Sequence, residues 1–220
     1  MKKLGFFFLI MAGFAKLDAQ VYEQYKTMSL GDRNALTMTL PQNKDKFVGT
    51  LWSAYLKEFY GAKSKFNKKT AEWFTDNADM PAIGLGNTVD VYASVEQIDD
   101  DVRLSVWFDL GGAFLNLREH YDRYPEAEKL MMRFALEVAQ KSTEQQLASE
   151  EKKLKELEND LKKLQSSNER YLKDIERARE TIRKSEEGIA KNDKDQAATQ
   201  EKIEQQKKAL EAVRRKLNDL

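Results

Sequence analysis

Residues 89–110 read VDVYASVEQIDDDVRLSVWFDL, and this stretch decides the fold of the first half of the chain. Val91, Ala93 and Val95 alternate with polar neighbours, and after Asp99-Asp100-Asp101 the alternation resumes with Val102, Leu104, Val106, Phe108 and Leu110. Period-two patterning on both sides of a short acidic turn predicts an antiparallel hairpin with one buried face. A two-residue Asp99-Asp100 loop makes facing residues sum to 199. Val91 then meets Phe108 and Ala93 meets Val106 on the buried side, while Glu96 meets Arg103 and Tyr92 meets Trp107 on the other. A register summing to 201 also keeps the apolar faces matched but pairs Glu96 with Ser105 and Tyr92 with Asp109. Opposite-charge and aromatic cross-strand pairs each contribute roughly 0.2–1 kcal/mol, so the first register is expected.

The surrounding residues supply partners for this hairpin. Arg33 to Leu40 alternates, with Leu36, Met38 and Leu40 on one side and Ala35 and Thr37 on the other, and Pro41 ends it. Asn43 is placed to cap the next helix, with Asp45 in its first turn. Phe47, Val48, Leu51, Trp52, Tyr55, Leu56 and Phe59 recur on one helical face, and Gly61 supplies the stop. Ala62 to Phe66 and Ala71 to Thr75 read as short strands, and 76–88, with Pro81, Gly84 and Gly86, reads as a loop. A second helix opens near Pro125 and buries Ala127, Leu130, Met131, Phe134 and Val138. The expected order is β-α-β-β-β-β-α over residues 21–140: an α+β domain with helices on one face of a small, mostly antiparallel sheet.

Composition changes abruptly after this domain. All 11 Phe, all 3 Trp and all 3 Pro lie at or before Phe134, and beyond it the single aromatic is Tyr171. With 34% charged residues and a mean hydropathy of −0.70, the chain cannot bury all of itself in one globule. In residues 141–220, stepping by seven from Leu147 gives Leu154, Leu161, Asn168, Ile175, Ile182, Ile189, Gln196, Ile203, Leu210 and Leu217, so nine of eleven positions are Leu or Ile. Three residues further on stand Glu150, Leu157, Leu164, Tyr171, Ala178, Ser185, Asn192, Thr199, Gln206, Val213 and Leu220. One heptad register thus runs unbroken, weak only from Ser185 to Gln206, and predicts a coiled-coil seam. A hairpin turning near 165–168 or 188–195 would shift the phase, and no shift is present, so a straight rod is expected. Asn168 in the seam fits a dimer of fixed register. Charges such as Glu156, Asp160 and Lys163 form the solvated face.

The first residues, Met1-Lys2-Lys3 followed by an apolar run from Leu4 to Ala15 and then Leu17-Asp18-Ala19, read as an export signal over 1–20 with cleavage after Ala19. The run is shorter than the roughly twenty residues that span a bilayer, so no membrane span is expected after signal removal. A secreted or periplasmic location follows. The absence of cysteine from the chain excludes disulfides, and fits a bacterial envelope better than an animal extracellular space.

No catalytic constellation stands out, and no cofactor is expected. His120 is the one histidine and sits in a polar connector, where an exposed, idle role is expected. Asp99 to Asp101 reads as turn chemistry, and Gly84-Leu85-Gly86 lacks the third glycine of a phosphate loop. Gly111-Gly112 reads as a sharp exit from a strand. With 37 basic and 37 acidic residues, the chain lacks the basic excess of a nucleic-acid binder. The outer face of the hairpin carries Tyr92, Arg103 and Trp107: the aromatic pair reads first as a cross-strand pair that stabilises the sheet, and alternatively, with Arg103, as a binding patch that faces solvent or a partner. On that reading Trp107→Ala weakens partner binding at little cost to the fold. The chain is expected to pair with itself through Leu154, Leu157, Leu161, Leu164, Ile175, Ile182, Ile189, Ile203, Leu210 and Leu217, and to hold an envelope or extracellular protein. A ligand-binding or enzymatic domain, or a chaperone-like holder, are the alternatives.

Overall fold

The computed structural model describes residues 20–218, so residues 1–19 of the expected export signal lie outside the described residues. The described residues divide into two compact units, the first ending at Ser149 and the second beginning at Glu150.

The first unit is built on six antiparallel strands: β1 (Tyr22–Met28), β2 (Gly31–Leu40), β3 (Ser64–Asn67), β4 (Glu72–Ala78), β5 (Val89–Ile98) and β6 (Asp101–Asp109), in the order β1-β2-β6-β5-β4-β3. The helices are α1 (Asp45–Tyr60), α2 (Pro81–Gly84) and α3 (Tyr124–Asn218). The β5–β6 register is the one summing to 199: Val91 faces Phe108, Tyr92 faces Trp107 and Glu96 faces Arg103. Asp99, the first residue of the two-residue loop, takes φ 52°, in the left-handed region.

Leu36, Met38, Leu40, Val91, Ala93, Val102, Leu104, Val106 and Phe108 form one buried sheet face. Val48, Trp52, Tyr55 and Leu56 of α1 and Leu130, Met131 and Phe134 of α3 cover it. Trp52 meets Phe134 edge-on at 4.9 Å, and Tyr55 donates its hydroxyl to the Leu130 carbonyl at 3.5 Å. Gly61 ends α1 in the left-handed region, at φ 63°. Gly49 is buried in α1 with Trp73 packed closely against it: a Cβ there would stand 2.8 Å from the indole nitrogen.

Several expectations need correction. Asn43 does not cap α1; its amide donates to the Pro41 carbonyl at 2.7 Å, and the helix opens at Lys44 without a side-chain cap. Gln97 instead accepts the Asp45 N–H at 3.0 Å. Phe59 lies at the edge of the stripe and is exposed. Residues 76–88 contain the one-turn helix α2, which buries Ile83 beneath a proline-started turn. The sheet begins with β1, a strand the hydropathy pattern does not signal.

That extra strand changes the domain. β1 and β2 are joined by the two-residue turn Ser29-Leu30, with Gly31 at φ 90°. Lys26 of β1 reaches Glu96 on β5 at 2.6 Å, and the Ser29 N–H donates to Glu72 on β4 at 2.8 Å. Neither β5 nor β4 is adjacent to β1 in the sheet. The outer hairpin therefore curls over the second sheet face, as a strongly twisted antiparallel sheet can.

The second unit is a single stretch of α3. The helix passes through 165–168 and 188–195 without a break, so the chain does not turn back there. Its 150–218 portion is about 100 Å long at 1.5 Å per residue.

Candidate functional site

Residues of the second sheet face line up across the strands by register. One row runs Lys65–Phe74–Tyr92–Trp107 over β3, β4, β5 and β6. The next row runs Asn67–Glu72–Ser94–Ser105–Thr37–Tyr22 over all six strands. An apolar, aromatic row thus lies beside a polar one.

Trp107 is 1% exposed, packed with Met28, Ala35, Tyr92 and Phe114 in a small second core. Its indole N–H donates to the Arg33 carbonyl at 3.3 Å, and Lys26 Nζ stands 6.0 Å from the ring centroid. Phe114 reaches it because Gly111 and Gly112, at φ 86° and 152°, reverse the chain after β6 and pair Phe114 with Asp109. The alternative in which Trp107 faces solvent is therefore overturned: β1 and the 111–114 turn cover it. Tyr92 is half-buried and packs 4.7 Å from Phe74. Burial first, and then the nearby carboxylates of Asp90, Asp109 and Glu72, raise its phenol above the usual range, so it stays a neutral donor.

Glu96 and Arg103 face each other as the register requires, yet the ion pair of Glu96 is with Lys26. Lys26 also donates to Ser105 at 3.2 Å, and Ser94 donates to Glu96 at 3.0 Å. Burial raises the Glu96 carboxyl, but the Lys26 hydrogen bond and charge, with help from Ser94 and Arg103, outweigh it and hold the group below the usual range. Arg103 Nε is buried without a hydrogen-bond partner among the described residues.

Between the Ser29 turn and the β3–β4 hairpin, where the curled sheet nearly meets itself, lies an open cavity of about 440 Å³. Glu72, Phe74 and Tyr92 line it together with Ser29, Lys65 and Lys68. Glu72 is 6% exposed. Its Oε1 accepts the Ser29 N–H, which leaves carboxylate lone pairs for a donor entering from the cavity.

The seam residues form a separate surface. Leu147, Leu154, Leu161, Ile175, Ile182, Ile189, Ile203 and Leu210 are between 44% and 61% exposed, and Leu157, Leu164, Tyr171 and Val213 are exposed as well. The side chain of Leu217 lies outside the described residues. Charged residues pair along the helix, as Arg183 does with Glu180 and Glu187, both at 2.7 Å, and Lys163 with Asp160 at 2.9 Å. No helix among the described residues is long and apolar enough to cross a membrane.

His120 has a local structural role: its Nδ1 accepts the Asn116 N–H at 3.2 Å while its backbone N–H donates to the Asn116 carbonyl at 3.0 Å, closing the turn before α3. Asp101 accepts the Gln42 N–H at 3.0 Å and so ties the β5–β6 turn to the β2–α1 connection. Glu72 carries no sequence signal of its own: a lone glutamate at the start of a short strand reads as a solvated edge. No protein-family model, no curated protein and no solved structure matches this chain.

Proposed function

We propose that this is an exported interaction protein that self-associates through α3 as a parallel coiled-coil dimer and presents the α+β domain to an envelope or extracellular partner. One observation carries the reading: a continuous helix holds a heptad row of Leu and Ile that is exposed among the described residues. A helix polar all round can stand alone on its charge pairs, but a sustained apolar row stands in water at a cost that a second helix removes.

The magnitudes favour association. Full burial of a Leu or Ile contributes roughly 1.5–3 kcal/mol, and these side chains are about half covered by their own helix, which leaves roughly 1 kcal/mol each. Eight per chain, sixteen in a dimer, offset the roughly 4–15 kcal/mol lost in translational and rotational freedom. Asn168 in the row favours a two-stranded, in-register arrangement. The N-terminal pattern of basic residues, short apolar run and Ala19 supports export, and the equal numbers of basic and acidic residues argue against nucleic acid as the partner.

Sedimentation equilibrium of the whole chain tests this. A mass twice that of the chain, reverting to one chain in Ile175→Asp, is the expected result. A monomer at every accessible concentration contradicts the proposal.

A further inference from the structure

We infer that the cavity between the Ser29 turn and the β3–β4 hairpin binds a small amphoteric ligand of the amino-acid type, its ammonium on Glu72 and its apolar side chain on Phe74 and Tyr92. This goes beyond the self-association of α3 and does not depend on it.

The argument begins with the carboxylate. A glutamate that is 6% exposed lines a cavity large enough for a small molecule, and among the described residues its hydrogen-bond donor is one backbone N–H, to Oε1. A buried carboxylate held by so few donors favours a ligand that brings cationic N–H groups, since charge-assisted hydrogen bonds are the strong ones. Glu72 also has a fixed place. Ser29 holds one oxygen, and Ser94 and Asn67 flank it in the same cross-strand row.

The wall beside it is aromatic. Phe74 follows Glu72 by two residues on the same strand face, about 7 Å along the strand, and the Tyr92 ring lies 4.7 Å from that of Phe74, tilted by 35°. An ammonium on Glu72 thus leaves the rest of the ligand lying on these rings. Lys65, opposite Phe74 in the register, and Lys68 line the rim, where they face the carboxylate end of such a ligand. Sites that combine an apolar wall with a few convergent polar groups, at the mouth of a curled sheet, are the common form of small-molecule site.

Three related probes separate the contributions: L-phenylalanine, phenethylamine (amine without carboxylate) and hydrocinnamate (carboxylate without amine), titrated into the full chain by calorimetry. L-phenylalanine and phenethylamine are expected to bind, and hydrocinnamate is not. Glu72→Gln keeps an acceptor for Ser29 and loses the charge. It is expected to weaken phenethylamine binding by about ten-fold or more, because a charge-assisted hydrogen bond is replaced by a neutral one. Lys65→Gln with Lys68→Gln is expected to weaken L-phenylalanine binding and leave phenethylamine unchanged. Should Glu72→Gln fail to fold, the Ser29 amide resonance of the wild type must shift on adding phenethylamine. Absence of binding by both amines at millimolar concentration, equal binding to Glu72→Gln, or an unmoved Ser29 amide overturns the inference. Because the full chain is used throughout, a monomeric chain that binds phenethylamine refutes the coiled coil and leaves this site standing.

Discussion

Replacing Trp107 with alanine should cost the α+β domain about 3–5 kcal/mol, the usual range for emptying a buried tryptophan site. Trp107 is 1% exposed, touches Met28, Ala35, Tyr92 and Phe114, and donates its indole N–H to the Arg33 carbonyl. Its neighbours are held by cross-strand register and cannot collapse far into the void. A domain of this size has a total stability of about 5–15 kcal/mol, so the variant should be marginal. Trp107→Phe keeps most of the volume and loses the hydrogen bond, which contributes about 1 kcal/mol, and should fall between the two. Urea unfolding followed by tryptophan fluorescence reports this domain alone, because all 3 Trp lie within it and none in the long helix. A loss below about 1 kcal/mol for Trp107→Ala would refute the second core and restore an exposed recognition patch.

Further outcomes follow from other contacts. Gly49→Ala should destabilise the domain by about 1–3 kcal/mol, as overpacking does, because the new Cβ would stand 2.8 Å from Trp73 Nε1; urea unfolding checks it. The Lys26–Glu96 pair should stabilise the curled strand in a pH-dependent way. Glu96 is held below its usual range, so the pair's contribution is present above the unfolded carboxyl pKa of about 4.3 and fades as pH falls through the lower folded value. The stability gap between wild type and Lys26→Met should therefore shrink in acid, and a gap independent of pH would contradict the pairing. N-terminal sequencing of the native protein should return Gln20 or Val21, whereas Met1 would contradict export by a cleaved signal.

The sequence was most informative where the pattern was apolar and periodic. The β5–β6 register was legible because only one pairing aligned Tyr92 with Trp107 and Glu96 with Arg103 while keeping Val91 on Phe108. The strand β1 was not, because Tyr22, Gln24, Lys26 and Met28 give its inward face and only Met28 becomes buried. A strand that covers a sheet with a lysine stem and one methionine carries no period-two hydropathy. Missing β1 also hid the second core, since Ala35 and Thr37 read as the solvent side of β2, whereas both are fully buried and Ala35 packs with Met28 and Trp107. The cavity at Glu72 was out of reach for the same reason: its walls come from Ser29 and the β3–β4 hairpin, 43 residues apart at the Ser29–Glu72 contact.

The central claim, a parallel, in-register pairing of α3, is open to one direct measurement in a chain that has no native cysteine. A disulfide needs Cα atoms about 4.4–6.8 Å apart, so a single cysteine cross-links two chains only where a residue faces its own copy. Leu161 occupies the heptad row, and Ser166, five residues on, lies on the far side of the helix. Under mild oxidation Leu161→Cys should run as a covalent dimer on a non-reducing gel, while Ser166→Cys remains a single chain. Failure of Leu161→Cys to cross-link, or equal cross-linking of both, would contradict the account.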